Sequence, residues 1–187
     1  MSRAYRISVS ESVLRHVRVE DGLCAGLELI EVLPRERMAA LLAAELEGIG
    51  FERKGDRLVR VDPDGVEVEI DPLAATVTVR ISAERDVELE RTGTAAAARP
   101  DDAKARQQLR DRVRRELDAE VDERREQLQR QVSERLEKKL RDLRQELDRV
   151  TNRVTSTALK ERAAQLGEIE ELSEDPESGD LTIRVRL

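Results

Sequence analysis

The sequence predicts an α+β protein: a small antiparallel sheet domain with one covering helix, then a long helix of coiled-coil character and a C-terminal β-hairpin. Three observations carry this. From Pro100 to Gly167 no Pro or Gly interrupts a run of Ala, Leu, Glu, Gln, Arg and Lys, all good helix formers. Before that run, short aliphatic segments alternate apolar and polar residues, the period of half-buried strands. After it, two alternating segments flank a Pro- and Gly-containing turn. The divisions that follow are 1–91 for the sheet domain, 92–100 for a linker, 101–166 for the long helix and 167–187 for the hairpin.

In the sheet domain, Tyr5, Ile7 and Val9 alternate with polar residues, and Val17 and Val19 continue the pattern. Glu20-Asp21-Gly22 carries a turn signal. Leu23, Ala25, Leu27 and Leu29 then share one face of a returning strand, so a hairpin is expected from about 13 to 32. Pro34 suits the first turn of a helix. Met38, Leu41, Leu42, Leu46 and Ile49 fall on one face of that helix, and Gly50 ends it. A meander follows: Leu58 to Val61, a turn at Asp62-Pro63-Asp64-Gly65, Val66 to Ile70, a break at Asp71-Pro72, Val77 to Ile81, and more weakly Val87 and Leu89. Each strand has one charged face, which predicts an antiparallel sheet with one side wet and the helix on the other.

The long helix begins with Asp101 and Asp102, suited to a cap and to the positive dipole end. Gly167 suits its C-terminal exit. Glu or Asp precedes Arg or Lys by four residues repeatedly, for example Glu134 with Lys138 and Glu137 with Arg141. Each such pair contributes about 0.2–0.5 kcal/mol. One apolar stripe runs along the helix: Leu109, Val113, Leu117, Val121, Leu128, Val132, Leu136, Leu140, Leu143, Leu147, Val150 and Val154. Arg124 and Arg125 interrupt it. From Leu140 to Val154 the spacing becomes 3-4-3-4, a coiled-coil seam. No second long helix is available to cover that seam, so Leu136, Leu140, Leu143, Leu147, Val150 and Val154 are the expected partner-binding residues. Thr151, Asn152, Thr155, Ser156 and Thr157 are weak helix formers, and a kink there is plausible.

In the tail, Ile169 and Leu172 precede Pro176 and Gly179, and Leu181, Ile183, Val185 and Leu187 alternate to the end. A type I turn spanning Pro176 to Gly179 closes the hairpin. A lone hairpin is marginal in water, so it needs a sheet or a partner surface.

Composition narrows the function. Charged residues are 40% of the 187 and aromatics 1%, so the cores are aliphatic. Net charge is −7 overall, but the long helix is mildly basic between acidic ends. The signs interleave along it, and stacking aromatics are missing, which argues against nucleic-acid binding. No run is apolar enough to span a bilayer and no signal-peptide pattern opens the chain, so no membrane and a cytoplasmic location are expected. Cys24, the single cysteine, rules out an intramolecular disulfide. His16 and Cys24 are read as strand residues, and no catalytic constellation surrounds them. Asp62 to Gly65 lacks the ligand spacing of a calcium loop. No phosphate loop, dinucleotide fingerprint or zinc pattern occurs. The expectation is no enzyme, no cofactor and no metal.

Two segments carry a family resemblance: the tail from Leu166-Gly167-Glu168-Ile169 through Gly179-Asp180-Leu181-Thr182-Ile183, and Arg141-Asp142-Leu143-Arg144 through Arg153-Val154-Thr155. With a sheet domain in front, the chain resembles the accessory "X" components of bacterial FtsH ternary systems, which pair an FtsH-like AAA ATPase with a MoxR-type ATPase and von Willebrand A domain proteins. The resemblance implies a non-enzymatic adaptor or scaffold beside an ATPase machine. Its partner would be a protein, an AAA ATPase or a von Willebrand A domain protein. Homodimerisation is the other association considered. The alternative is a homo-oligomeric coiled-coil stalk or chaperone-like structural protein.

Overall fold

The strands and helices follow from aliphatic alternation and from where small residues let elements meet. The computed structural model describes residues 5–174 and 181–186. In chain order the elements are β1 (Tyr5–Gly26), α1 (Arg35–Gly48), β2 (Glu52–Lys54), β3 (Arg57–Val61), β4 (Val66–Asp71), β5 (Thr76–Ala97), α2 (Ala103–Leu166), β6 (Glu168–Glu174) and β7 (Leu181–Arg186). Five strands form one sheet in the order β1-β5-β4-β3-β2, and β6 pairs with β7 alone. The expected turn from Pro176 to Gly179, the acidic residues beside it and Leu187 lie outside the described residues.

The chain divides into two compact units. The first comprises residues 1–21 and 82–134, the second residues 22–81 and 135–187. β1, β5 and α2 each contribute a part to both.

In the first unit, β1 and β5 form a two-stranded ribbon. Side-chain pairs mark its antiparallel register: Ser10 with Thr92 at 2.7 Å and His16 with Asp86 at 2.8 Å. Odd-numbered residues of both strands face α2. Ile7, Val9 and Ala97 pack with Leu109, Val113 and Leu117 in one buried cluster, flanked by Val13, Leu89, Ala95 and Ala105. Gly93 sits where helix and ribbon come closest: a Cβ there would lie 2.5 Å from Val113 Cγ2. Glu11 reaches Arg110 and Arg114 at 2.9 and 3.3 Å. On the neighbouring strand, Arg91 reaches Glu116 and Glu120 at 3.2 and 3.7 Å. Asp102 caps α2 as expected, accepting from the Ala105 amide at 2.9 Å.

The second unit holds all five strands over a shorter span. β4 pairs with β5 (Val68 opposite Val79), β3 with β4 (Leu58 opposite Ile70) and β2 with β3 (Arg53 opposite Leu58). The inward residues Leu58, Val66, Val68, Ile70, Val79 and Ile81 are fully buried. The Asp62–Gly65 turn forms as expected, with Gly65 at φ 76° and its amide donating to the Asp62 carbonyl at 2.8 Å. α1 lies antiparallel to α2: Arg37 pairs with Glu161, and eight residues on Glu45 pairs with Arg153, eight residues back.

Two expectations are corrected. β1 runs unbroken through Glu20-Asp21-Gly22, so no hairpin forms between 13 and 32. Gly22 serves close approach instead: a Cβ there would stand 2.7 Å from the Val79 carbonyl oxygen. Residues 92–97 continue β5 and are not part of a linker; their small side chains are what lets α2 pack against the ribbon. The Thr151–Thr157 cluster, where the sequence makes a kink plausible, does not break α2, which is continuous over 64 residues as expected. There the Thr151 and Thr155 hydroxyls donate back to the carbonyls of Asp148 and Thr151, at 3.1 and 2.8 Å.

Candidate functional site

The residues expected to meet a partner are interior. Within the second unit, Leu136, Leu143, Leu147, Val150 and Val154 are buried, the last two with no exposed surface, and Leu140 is half-buried. Most of this seam is covered within the unit, and Leu140, Leu143 and Leu147 are the members of it that border a cleft. The seam is therefore no bare helix face awaiting a second helix. The physical reason is that a sheet covers a helix stripe as well as another helix does. Opposite Leu140, Leu143 and Leu147 the sheet contributes Leu23, Leu27, Val77 and Val79, and α1 lies along α2 at Arg153 and Glu161.

Two features flank the buried stripe on α2 in this unit. On one side lies a charge cluster. Arg60, an inward residue of β3, donates twice to the Glu146 carboxylate, at 2.9 and 2.7 Å. Its guanidinium also stacks over the Phe51 ring, 4.5 Å from the centroid. Asp62 sits 3.1 Å from Arg60 Nε and 2.5 Å from Lys139 Nζ. The cluster thus alternates two cations with two carboxylates and is electrically neutral. The hydrogen bonds from Arg60 hold the Glu146 carboxyl below its usual range, and Glu146 in turn raises Arg60.

On the other side of the stripe a cleft of about 330 Å³ opens between sheet and helix. Leu23, Leu27, Val77 and Val79 form the sheet wall, and Leu140, Leu143, Leu147 and Arg144 the helix wall. β1 is the edge strand here, so one lip of the cleft is an unpaired sheet edge. Leu23, on that lip, is 48% exposed. Such a cleft, apolar within and charged at its rim, suits an aliphatic side chain delivered by an extended or helical segment. Its helix wall includes Leu140, Leu143 and Leu147 of the expected seam, whereas its sheet wall was not legible, since Leu23 reads as one more strand residue.

His16 and Cys24 are not brought together, since the strand carrying both does not turn between them. His16 Nδ1–H donates to the Asp86 carboxylate on the solvent face, with Glu84 3.6 Å away. That hydrogen bond raises its pKa above the ordinary 6.5. Cys24 is exposed, with the Thr78 hydroxyl 3.5 Å from its sulfur. Among the described residues no group of three His, Cys, Asp or Glu side chains is placed to hold a metal ion, and no helix is long and apolar enough to cross a membrane.

Comparison with curated proteins and with solved structures finds no match. One family model does match, and it covers residues 1–187, the whole chain. It agrees with the resemblance carried by the α2 and tail segments, and on that full-length match the chain belongs to the FtsH ternary system domain X5 family.

Proposed function

We propose that the chain is a non-enzymatic adaptor of an FtsH ternary system, and that it holds a partner protein of that system through the apolar cleft of the second unit. The cleft is the observation that carries this. Its aliphatic walls lie beside an unpaired strand edge, and an exposed leucine stands at its mouth. A partner segment that enters it gains apolar burial at roughly 25 cal/mol per Å², and backbone pairing with β1 as well. The partner we put forward is an FtsH-like AAA ATPase or a von Willebrand A domain protein of the same system, the components that the resemblance implies.

The test is calorimetric titration of the purified chain with each of those two partners. Binding to one of them is expected. Leu23→Glu places a carboxylate at the mouth and weakens it tenfold or more, roughly 1.4 kcal/mol, with the fold unchanged by circular dichroism. Absence of binding to both, or equal binding by the variant, contradicts the proposal.

A further inference from the structure

The first unit has a two-stranded ribbon as its sheet, and among the described residues no strand pairs with its β1 edge. Two strands alone are marginal, and an open edge invites another strand. We infer that β1 of the first unit pairs antiparallel with β1 of a second copy of this chain, about a two-fold axis at Val13. This inference is independent of the adaptor role proposed above.

The argument rests on self-complementarity. A continuous sheet requires the buried faces of both copies to lie on one side, so odd residues must meet odd residues. With Val13 opposite its own copy, Val9 meets Val17 and Ile7 meets Val19 on the buried face. On that face Glu11 also meets Arg15. On the solvent face Arg6 meets Glu20, Ser8 meets Arg18 and Ser10 meets His16. No like charges face each other. A shift of the axis to Ser12 sets Arg6 against Arg18 and Val9 against Arg15. A shift to Leu14 sets Glu11 against Val17 and Val13 against Arg15. Of these three registers, the one about Val13 matches both charge and burial.

Two structural details agree. A cleft of about 390 Å³ lies along Glu11 to Arg15, with Arg114, Leu117 and Asp118 as its helix wall, so space exists beside the proposed axis. Arg6 and Arg15 are exposed, and among the described residues neither has an ion-pair partner in its own chain. Glu11 and Glu20 do have intrachain arginines, and the second copy adds to them. The other side of the ribbon is a poor alternative: Glu84, Asp86, Glu88 and Glu90 line the solvent face of β5 and would oppose one another across a two-fold.

Analytical ultracentrifugation of the full chain tests this. The wild type is expected at twice the chain mass. Arg6→Glu and Glu20→Arg should each sediment as monomers at concentrations where the wild type is dimeric, because each sets like charges opposite. An equimolar mixture of the two should recover a dimer, since every cross-pair is then Glu with Arg. In a Cys24→Ser background, mild oxidation should link Val13→Cys to its copy and leave Ser10→Cys unlinked. A wild type that stays monomeric up to its solubility limit overturns the inference. So does a dimer that survives both charge reversals, or cross-linking at position 10 in place of 13.

Discussion

Arg60 and Glu146 are joined by two hydrogen bonds from one guanidinium to one carboxylate, with Phe51 stacked beneath the guanidinium. The pair fixes α2 against β3 beside Asp62 and Lys139, which complete the charge cluster. Arg60 is only 15% exposed, so loss of the Glu146 charge leaves its guanidinium with Asp62 alone, which Lys139 shares. Glu146→Gln is therefore expected to destabilise the chain by about 1–3 kcal/mol. Arg60→Met should cost less than the carboxylate loss, because a straight apolar chain keeps contact with Phe51 and leaves no buried cation. Urea titration of both variants checks the order.

Gly93 cannot accept a side chain without movement of α2. Alanine there places its methyl 2.5 Å from Val113 Cγ2 and 3.0 Å from Leu109 Cδ1. Overpacking of this kind costs roughly 1–3 kcal/mol. Val113→Ala removes the nearer obstacle, so Gly93→Ala should cost less in that background than alone. A double-mutant cycle in urea reads this as a coupling of the two sites.

Solution pH should act on the two ends of the range through different groups. His16 is raised above 6.5 by Asp86 and Glu84, with Arg18 opposing. A raised folded pKa means its stabilising contribution is complete below about pH 6.5 and is lost as pH rises through the folded value. Asp86→Asn should bring the NMR titration midpoint of this single histidine back toward 6.5. Glu116, Glu146 and Glu161 are lowered below 4.5, chiefly by hydrogen bonds from Arg112, Arg60 and Arg37. Their contribution is complete above about pH 4.5 and is lost as pH falls through the folded values. The melting temperature should thus decline on acidification below pH 4.5.

Much of the architecture was legible because it is written in local patterns. The bounds of α1 follow from Pro34 and Gly50, the β3–β4 turn from Asp62-Pro63-Asp64-Gly65, and the uninterrupted α2 from the lack of Pro and Gly between 100 and 167. What was not legible depends on who packs against whom. Gly22 and Gly167 read as punctuation, and Gly93 falls inside the expected linker. In the structure a Cβ on each would collide with a neighbour: the Val79 carbonyl, Val113 and the Arg186 carbonyl respectively. A glycine needed for close approach has the same letter as one needed for a turn. The stripe from Leu136 to Val154 was identified correctly as apolar, but its cover was sought in a second helix, because heptad spacing cannot tell a sheet from a helix as the surface it meets.

The central claim is that this stripe is closed by the chain itself. Thermal unfolding of Leu147→Asp, followed by circular dichroism, tests it most directly. Leu147 is 5% exposed, and a carboxylate there has no cation built to receive it. The account predicts a loss of about 4 kcal/mol or more, a fall in Tm of roughly 10 °C. An unchanged Tm would show that the stripe faces outward and contradict the account.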